Sequence, residues 1–374
     1  MGAVEWKILG DVCKIMNGKD YKSFNEGTIP VYGSGGVMTY IDTFVYDKPS
    51  VLLPRKGSLN NVFYVDKPFW TVDTIYWTMI DERIIEPKYF FYYMKMQNLE
   101  KLNFAAGAVP SLTQSVLNKI IIPLPTLAEQ KEIVSHLDTF TTLISSLESE
   151  LEMRRKQYEH YRNQLLDFEG VDGVEWKTLG DLSHKITDGA HSSPKSASEG
   201  YFMPSVKDMT DNGFDFSDCK IISRDDYEYL KRNGCQPNVN DVLIAKDGSM
   251  LKYVFTLKDK LDIVLLSSIA IISPKLEIVI PEYLVCYLKQ NTVRDIVIRD
   301  YSSKGGVPRI ILKNFRKIII PVPSKQKQQQ IVEKLDAFEQ LIQSLDTEIK
   351  LRKKQYEYYR EKLLTFDKEE DKKL

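Results

Sequence analysis

The stretch Lys156-Gln157-Tyr158-Glu159-His160-Tyr161-Arg162 returns later in the chain as Lys354-Gln355-Tyr356-Glu357-Tyr358-Tyr359-Arg360. The match runs upstream from Phe168 and Phe366 to Ile120-Ile121-Ile122-Pro123 and Ile318-Ile319-Ile320-Pro321, with about half of the positions identical, so it is a true internal repeat. Inside the first copy, Gln130, Ile133, Leu137, Phe140, Ile144, Leu147, Leu151, Arg154, Tyr158, Tyr161, Leu165 and Phe168 fall at alternating spacings of three and four. The second copy keeps that seam without a slip, through Gln328, Ile331, Leu335, Phe338, Ile342, Leu345, Ile349, Arg352, Tyr356, Tyr359, Leu363 and Phe366. A period of 3.5 residues sustained this long is the pattern of a supercoiled helix. Neither Gly nor Pro interrupts 126–168 or 324–366, so the sequence predicts a helix over each, roughly 64 Å long at ~1.5 Å per residue.

Such a helix cannot bury its stripe alone. The expected partner is the other copy, in antiparallel pairing, with Leu137, Ile144, Leu147, Leu151 and Tyr158 on one helix and Leu335, Ile342, Leu345, Ile349 and Tyr356 on the other. Arg154 and Arg352 each stand four residues after a glutamate, Glu150 and Glu348. Charges so placed set register more than stability. Leu143, Met153, Leu341 and Tyr358 fall outside the strict seam and offer a surface to further chains.

A second duplication marks where each half begins. Val4-Glu5-Trp6-Lys7 and Leu9-Gly10-Asp11 return as Val174-Glu175-Trp176-Lys177 and Leu179-Gly180-Asp181. Between the matched ends only islands align: Val51-Leu52-Leu53-Pro54-Arg55-Lys56-Gly57-Ser58 with Val242-Leu243-Ile244-Ala245-Lys246-Asp247-Gly248-Ser249, and Gly107-Ala108-Val109-Pro110 with Gly305-Gly306-Val307-Pro308. The expected plan is α+β: a globular domain over 1–125, a helix over 126–168, a linker over 169–173, a second globular domain over 174–323, a helix over 324–366 and a charged tail over 367–374.

Each globular half reads as mixed α/β. Ser50–Leu53 and Asn61–Val65 flank a polar loop, and Lys88–Gln97 reads as an aromatic-rich helix. In the second half 241–245 and 253–257 flank the matching loop, with a helix near Pro281–Gln290. Polar loops carrying Arg, Lys, Ser and Asn hold the donors that base edges and phosphates require. The candidate contacts are Arg55, Lys56, Ser58 and Asn60 in one half and Lys246, Asp247 and Ser249 in the other, followed by Ser34, Lys195 and Lys207. Arg55 is the expected reader of a base edge, and Lys246 the expected phosphate contact. The glycine-rich Val31-Tyr32-Gly33-Ser34-Gly35-Gly36 lacks a following Lys-Ser/Thr and reads as a turn rather than a nucleotide cradle.

Composition restricts function by exclusion. With 43% hydrophobic and 28% charged residues the chain has material for folded cores. No apolar run is long enough to span a bilayer, and Met1–Gly10 lacks the features of a secretion signal, so a cytoplasmic protein without membrane association is expected. Cys13, Cys219, Cys235 and Cys286 have no Cys-x-x-Cys spacing, and His136, His160, His184 and His191 form no ligand pair, so no metal is expected. Asp188 with His191 makes no convincing acid–base set, and no acidic residue stands two before Lys246 to complete a nuclease-like triad. Methyl-transfer and nucleotide-cofactor motifs are absent too. Charge is near balance, with net −1 overall, 13 basic against 12 acidic residues in 1–125 and 21 against 19 in 174–323. A DNA-binding domain usually carries a basic excess, so either DNA is not the ligand or another subunit supplies phosphate contacts.

Three elements together carry a family resemblance. They are the Trp-Lys-x-Leu-Gly-Asp openings at Trp6 and Trp176, the run Ile186-Thr187-Asp188-Gly189-Ala190-His191-Ser192-Ser193-Pro194-Lys195, and Ile122-Pro123-Leu124-Pro125 leading into Glu129-Gln130. In the second copy of the last element Lys327 replaces the glutamate before Gln328. Over nearly its full length the chain resembles the specificity subunits of type I restriction-modification enzymes. The resemblance implies two target recognition domains that each read one part of a split double-stranded DNA site. It implies helices that act as a ruler and dock two modification subunits, with restriction subunits in the full complex. It also implies no chemistry in this chain, with S-adenosylmethionine, ATP and Mg confined to partner subunits. The alternative is a coiled-coil adaptor that binds only protein.

Overall fold

The computed structural model describes residues 4–102, 110–303 and 309–366. Gly107 to Val109 and Gly305 to Pro308, read above as a repeated island, lie outside the described residues, as does the tail over 367–374. The chain forms two units, one from Met1–Ser149 with Asp346–Leu374, the other from Glu150–Leu345.

Both units are built on the same antiparallel four-stranded sheet. In the first, the strands run in the order Cys13–Asn17, Ile75–Ile80, Ser50–Pro54, Phe63–Val65; in the second, Ser183–Asp188, Ile269–Pro274, Val242–Ala245, Val254–Thr256. The central strands Ser50–Pro54 and Val242–Ala245 are buried along their whole length. That burial explains why residues 51–54 and 242–245 read as unbroken apolar runs rather than alternating ones. What fills the interval between the first and second strands of each sheet differs. The first unit inserts a hairpin, Glu26–Gly33 with Gly36–Ile41, joined in parallel by Trp70–Thr71. The second inserts a short ribbon, Tyr201–Phe202 with Ile221–Ile222, and the helix Arg224–Arg232. The Gly33–Gly36 segment is thus a hairpin turn, with Gly36 at φ +112.

Each globular part is closed by its own ends. Glu5–Ile8 pairs antiparallel with Ile121–Leu124, placing Trp6 opposite Pro123, and Glu175–Thr178 pairs with Ile319–Val322, placing Trp176 opposite Pro321. Pro tolerates these two-stranded ribbons because an edge strand can forgo one ladder bond. A buried tyrosine then seals each ribbon. Tyr89, on the helix Pro87–Met96, donates to the Pro123 carbonyl at 2.8 Å, and Tyr283, on the helix Pro281–Leu288, donates to the Pro321 carbonyl at 2.8 Å.

The long helices span Leu127–Leu165 and Lys325–Leu364. Within the first unit, Phe140 stacks on Tyr359 with centroids 5.4 Å apart and Lys353 pairs with Glu148 at 2.7 Å. Within the second, Tyr161 stacks on Phe338 at 5.3 Å and the Tyr158 hydroxyl donates to Glu339. Partners rise in number on one helix as they fall on the other, so the pairing is antiparallel in both units. Leu137, Ile144, Tyr158, Leu335, Leu345 and Ile349 are buried; Leu147, Leu151, Ile342 and Tyr356 are half-buried. Arg154 meets Glu150 and Arg352 meets Glu348, both at 3.3 Å.

Two ends of the seam depart from the heptad reading. Gln130 and Gln328 do not face a helix; each is fully enclosed against its own globular domain. Gln130 accepts from the Glu86 N–H and donates to the Ile84 and Pro125 carbonyls, and Gln328 accepts from the Ile280 N–H and donates to the Ile278 and Pro323 carbonyls. Phe168 and Phe366 lie past the helix ends and pack into the cores of the second and first units respectively.

Candidate nucleic-acid interface

The loop that leaves the central strand is built the same way twice. In the first unit the Arg55 N–H donates to the Thr74 carbonyl at 3.0 Å, and the Arg55 carbonyl accepts from the Leu112 N–H at 2.8 Å. In the second the Lys246 N–H donates to the Ser268 carbonyl at 3.0 Å, and its carbonyl accepts from the Ile310 N–H at 3.0 Å. Lys56 bridges Ser111, and Asp247 bridges Arg309. Both loops then turn through a glycine in the left-handed region, Gly57 at φ +85 and Gly248 at φ +66. A side chain at either place would be strained, which is why glycine recurs although the two residues before it change.

In the first unit the candidates converge. Ser34 donates its N–H to Thr74 Oγ1 at 3.2 Å and accepts from Asn61 Nδ2 at 2.8 Å, bringing the hairpin turn against the loop. Arg55 lies half-exposed, its Nη1 on the Asp73 carbonyl at 3.1 Å and its guanidinium 5.8 Å from the centre of the Tyr76 ring. Lys56 stands 3.8 Å from Asp73 with its side chain 46% exposed, an ion pair weak enough in water to be exchanged for another anion. Ser58 and Asn60 are exposed on the same loop. Ser34, Arg55, Lys56, Ser58 and Asn60 therefore share one surface. Asp73, Thr74, Asn61 and Tyr76, which position them, were not singled out from the sequence.

The second unit differs at the key position. Lys246, expected to face phosphate, is turned inward: its side chain is 8% exposed, 3.3 Å from Asp188 and 3.4 Å from Asp247. Two carboxylates already hold the ammonium, and burial removes it from solvent. Asp247 and Ser249 are half-buried, with the Ser249 N–H on the Asp247 carbonyl at 2.7 Å. Lys207 is 64% exposed near Asp208 and donates to the Asp218 carbonyl. Its segment reaches the loop through Ser268, whose Oγ accepts from the Val206 N–H at 3.1 Å while its carbonyl takes the Lys246 N–H. Lys195 is exposed on a separate run whose Ser193 and Pro194 are tied to Lys220.

Sequence reasoning missed Asp188 as the partner of Lys246 because they are far apart in the chain. The repeat held a clue: Asn17-Gly18 in the first unit occupies the place of Asp188-Gly189. A Cβ on either glycine would come 1.9 Å from a backbone oxygen, that of Val72 or of Leu265. Among the described residues no group of His, Cys, Asp and Glu could hold a metal ion, and no helix is long and apolar enough to cross a membrane.

Comparison with known proteins bears on the whole chain. The sequence model of the type I restriction modification DNA specificity domain matches twice, over residues 3–153 and 172–351. The chain is 32% identical over 403 residues to the EcoR124I/EcoR124II specificity subunit of Escherichia coli, covering 98% of this chain and 95% of that protein. It is 24% identical to the EcoBI specificity subunit of Escherichia coli, covering 87% and 73%. In fold it is similar to the S subunit of a type I restriction-modification system from M. genitalium, with a TM-score of 0.63, 18% identity and coverage of 98% and 97%. The double match coincides with the repeat in sequence and with the two sheets of identical strand order, and the chain belongs to the type I restriction modification DNA specificity family.

Proposed function

We propose that this chain is the DNA specificity subunit of a type I restriction-modification complex, each globular domain reading one part of a divided duplex target. The observation that carries this reading is the duplicated loop. The same backbone frame is kept in both units while the side chains it displays differ, Arg55 and Lys56 in one and Asp247 and Ser249 in the other, where Lys246 is turned inward. A conserved frame with exchanged side chains is what independent reading of two unlike sequences requires. Ser34, Arg55, Lys56, Ser58 and Asn60 serve the first half-site. Lys195, Lys207, Asp247 and Ser249 serve the second, with Lys246 supporting them from beneath.

The paired helices set the distance between half-sites and dock two modification subunits, with restriction subunits joining in the full assembly. The chain itself is not an enzyme. Methylation and cleavage, with S-adenosylmethionine, ATP and Mg, belong to those partners, which also add to the phosphate neutralisation that a chain of net charge −1 supplies only locally. The domain boundaries of this reading are 1–125, 126–168, 174–323 and 324–366. The test is a gel shift of the complex reconstituted with its modification subunits, on a duplex taken from the methylated sites of the host genome. Retention of that duplex over one with both half-sites scrambled supports the reading; equal retention of the two refutes it.

A further inference from the structure

Asp188 and Lys246 form a buried ion pair in the second unit, each side chain only 8% exposed. The two oxygens of Asp188 face different partners. Oδ2 takes the Lys246 ammonium at 3.3 Å, and Oδ1 stands 3.3 Å from Nε2 of His191, whose side chain is 79% exposed. One carboxylate thus joins a cation that cannot reach solvent to an imidazole that lies in it.

The turn that carries Asp188 and His191 has little freedom. The Ala190 N–H donates to the Leu265 carbonyl at 2.7 Å, and the Ala190 carbonyl accepts from the Ser267 N–H at 2.9 Å. Ser267 is followed by Ser268, which holds the backbone of Lys246. His191 is therefore fixed beside the loop over 246–249. In the first unit the residue matching Lys246 is Arg55, which shows its own guanidinium at the surface, and the residue matching Asp188 is Asn17, which carries no charge. Where the first unit displays the loop's cation directly, the second buries it and displays an imidazole.

Resting on the function proposed above, we infer that His191 is a DNA-contacting residue of the second unit, bonding a hydrogen-bonding group of the duplex, and that Asp188 and Lys246 are positioning residues that hold it. An exposed imidazole tethered at one nitrogen keeps the other for a ligand. The group it meets is on a base edge or on the phosphate backbone, and the two sources are separable.

The experiment uses the assembled complex and duplexes carrying the methylome-derived site, each with one base pair changed in one half-site. For His191→Ala, a loss of about 5- to 150-fold that disappears when one particular base pair is already changed identifies a base-edge contact. A similar loss on every duplex, with the salt slope lowered by about one, identifies a phosphate contact. Binding within twofold of wild type on all duplexes overturns the inference. Asp188→Asn, which keeps shape and removes charge, is expected to reproduce the His191→Ala pattern, leave the first half-site unchanged, and add nothing in the double variant. An additive further loss in the double variant would give Asp188 a structural role only and overturn its assignment. Should Asp188→Asn fail to assemble, the joint Asp188→Leu, Lys246→Met variant removes both buried charges at once and is read the same way. If the wild-type complex itself does not prefer its duplex, the function proposed above fails; if it does and His191→Ala is silent, only this inference fails.

Discussion

Replacing Gln130 with leucine removes a side-chain amide that ties the start of the first long helix to its globular domain. The amide is 1% exposed, accepts from the Glu86 N–H at 2.8 Å, and donates to the Pro125 and Ile84 carbonyls at 2.9 and 3.3 Å. Leucine is close in size and satisfies none of the three. A buried donor left alone costs about 1–3 kcal/mol, and a carbonyl with a second lone pair costs less. Counting about 2 kcal/mol for the Glu86 N–H, roughly 1 for each carbonyl, and a return of about 1 to 2 from the added apolar burial gives a net loss of ~2 to 3 kcal/mol. The measurement is urea unfolding of the Trp176→Phe variant followed by tryptophan fluorescence, since Trp6, Trp70 and Trp77 all lie in the first unit. The midpoint should fall with the slope unchanged. Gln328→Leu should leave this transition in place and lower the stability of the second unit by the same amount. A shift below about 0.5 kcal/mol for Gln130→Leu would mean that solvent reaches the freed groups and that the amide is not a clamp.

Other expectations follow from the same geometry. Charged residues in place of both Leu147 and Leu345 should abolish assembly with modification subunits, and unaltered co-purification of the double variant would refute the pairing argument. Exchanging residues 174–323 for those of a relative should change one half-site in the methylome and leave the other; a change in both would deny independent reading. Arg55→Ala should relax one base pair of the first half-site at a cost of about 1–3 kcal/mol, whereas a uniform loss across sequences would assign the guanidinium to phosphate instead. Burial raises the Cys13 and Cys286 thiols to about 12, above the ordinary value, so at pH 8 both stay protonated. Iodoacetamide with mass spectrometry should therefore leave both unmodified in the folded protein and label both in urea; rapid native labelling would show that these thiols are not enclosed.

The parts of the molecule that could be read from the sequence are those whose signal is periodic or duplicated. The seam from Ile133 to Leu165 and its second copy announced two paired helices because a 3.5-residue period has no other simple source. Residues 51–54 and 242–245 stood out because full burial makes these stretches wholly apolar. Where periodicity was the wrong guide, the reading failed locally. Gln130 and Gln328 keep the heptad spacing by coincidence of position, yet their amides answer to backbone groups of the globular domains. Lys246 sits in a polar loop with Gly248 and Ser249, a composition that suggests solvent, and its inward turn depends on Asp188 from another strand. No local pattern encodes a pairing of that kind. The insertion that differs between the domains also hid the correspondence of Thr74 with Ser268.

The make-up of the first unit bears on synthesis. Its core contains Leu364, with Tyr356, Leu363 and Phe366 packed against it, beside Ile133, Val134 and Leu137. On a ribosome the whole of Glu150–Leu345 emerges between these two sets of residues. Domains usually fold in the order in which they are made. Here the uninterrupted second unit can finish while the first, though translated earlier, still waits with an open apolar face for the end of the last helix. A chain truncated after Leu345 should accordingly protect Glu150–Leu345 from protease and leave the earlier residues open to cleavage and to holding chaperones. The first reader to be translated is the last to be completed.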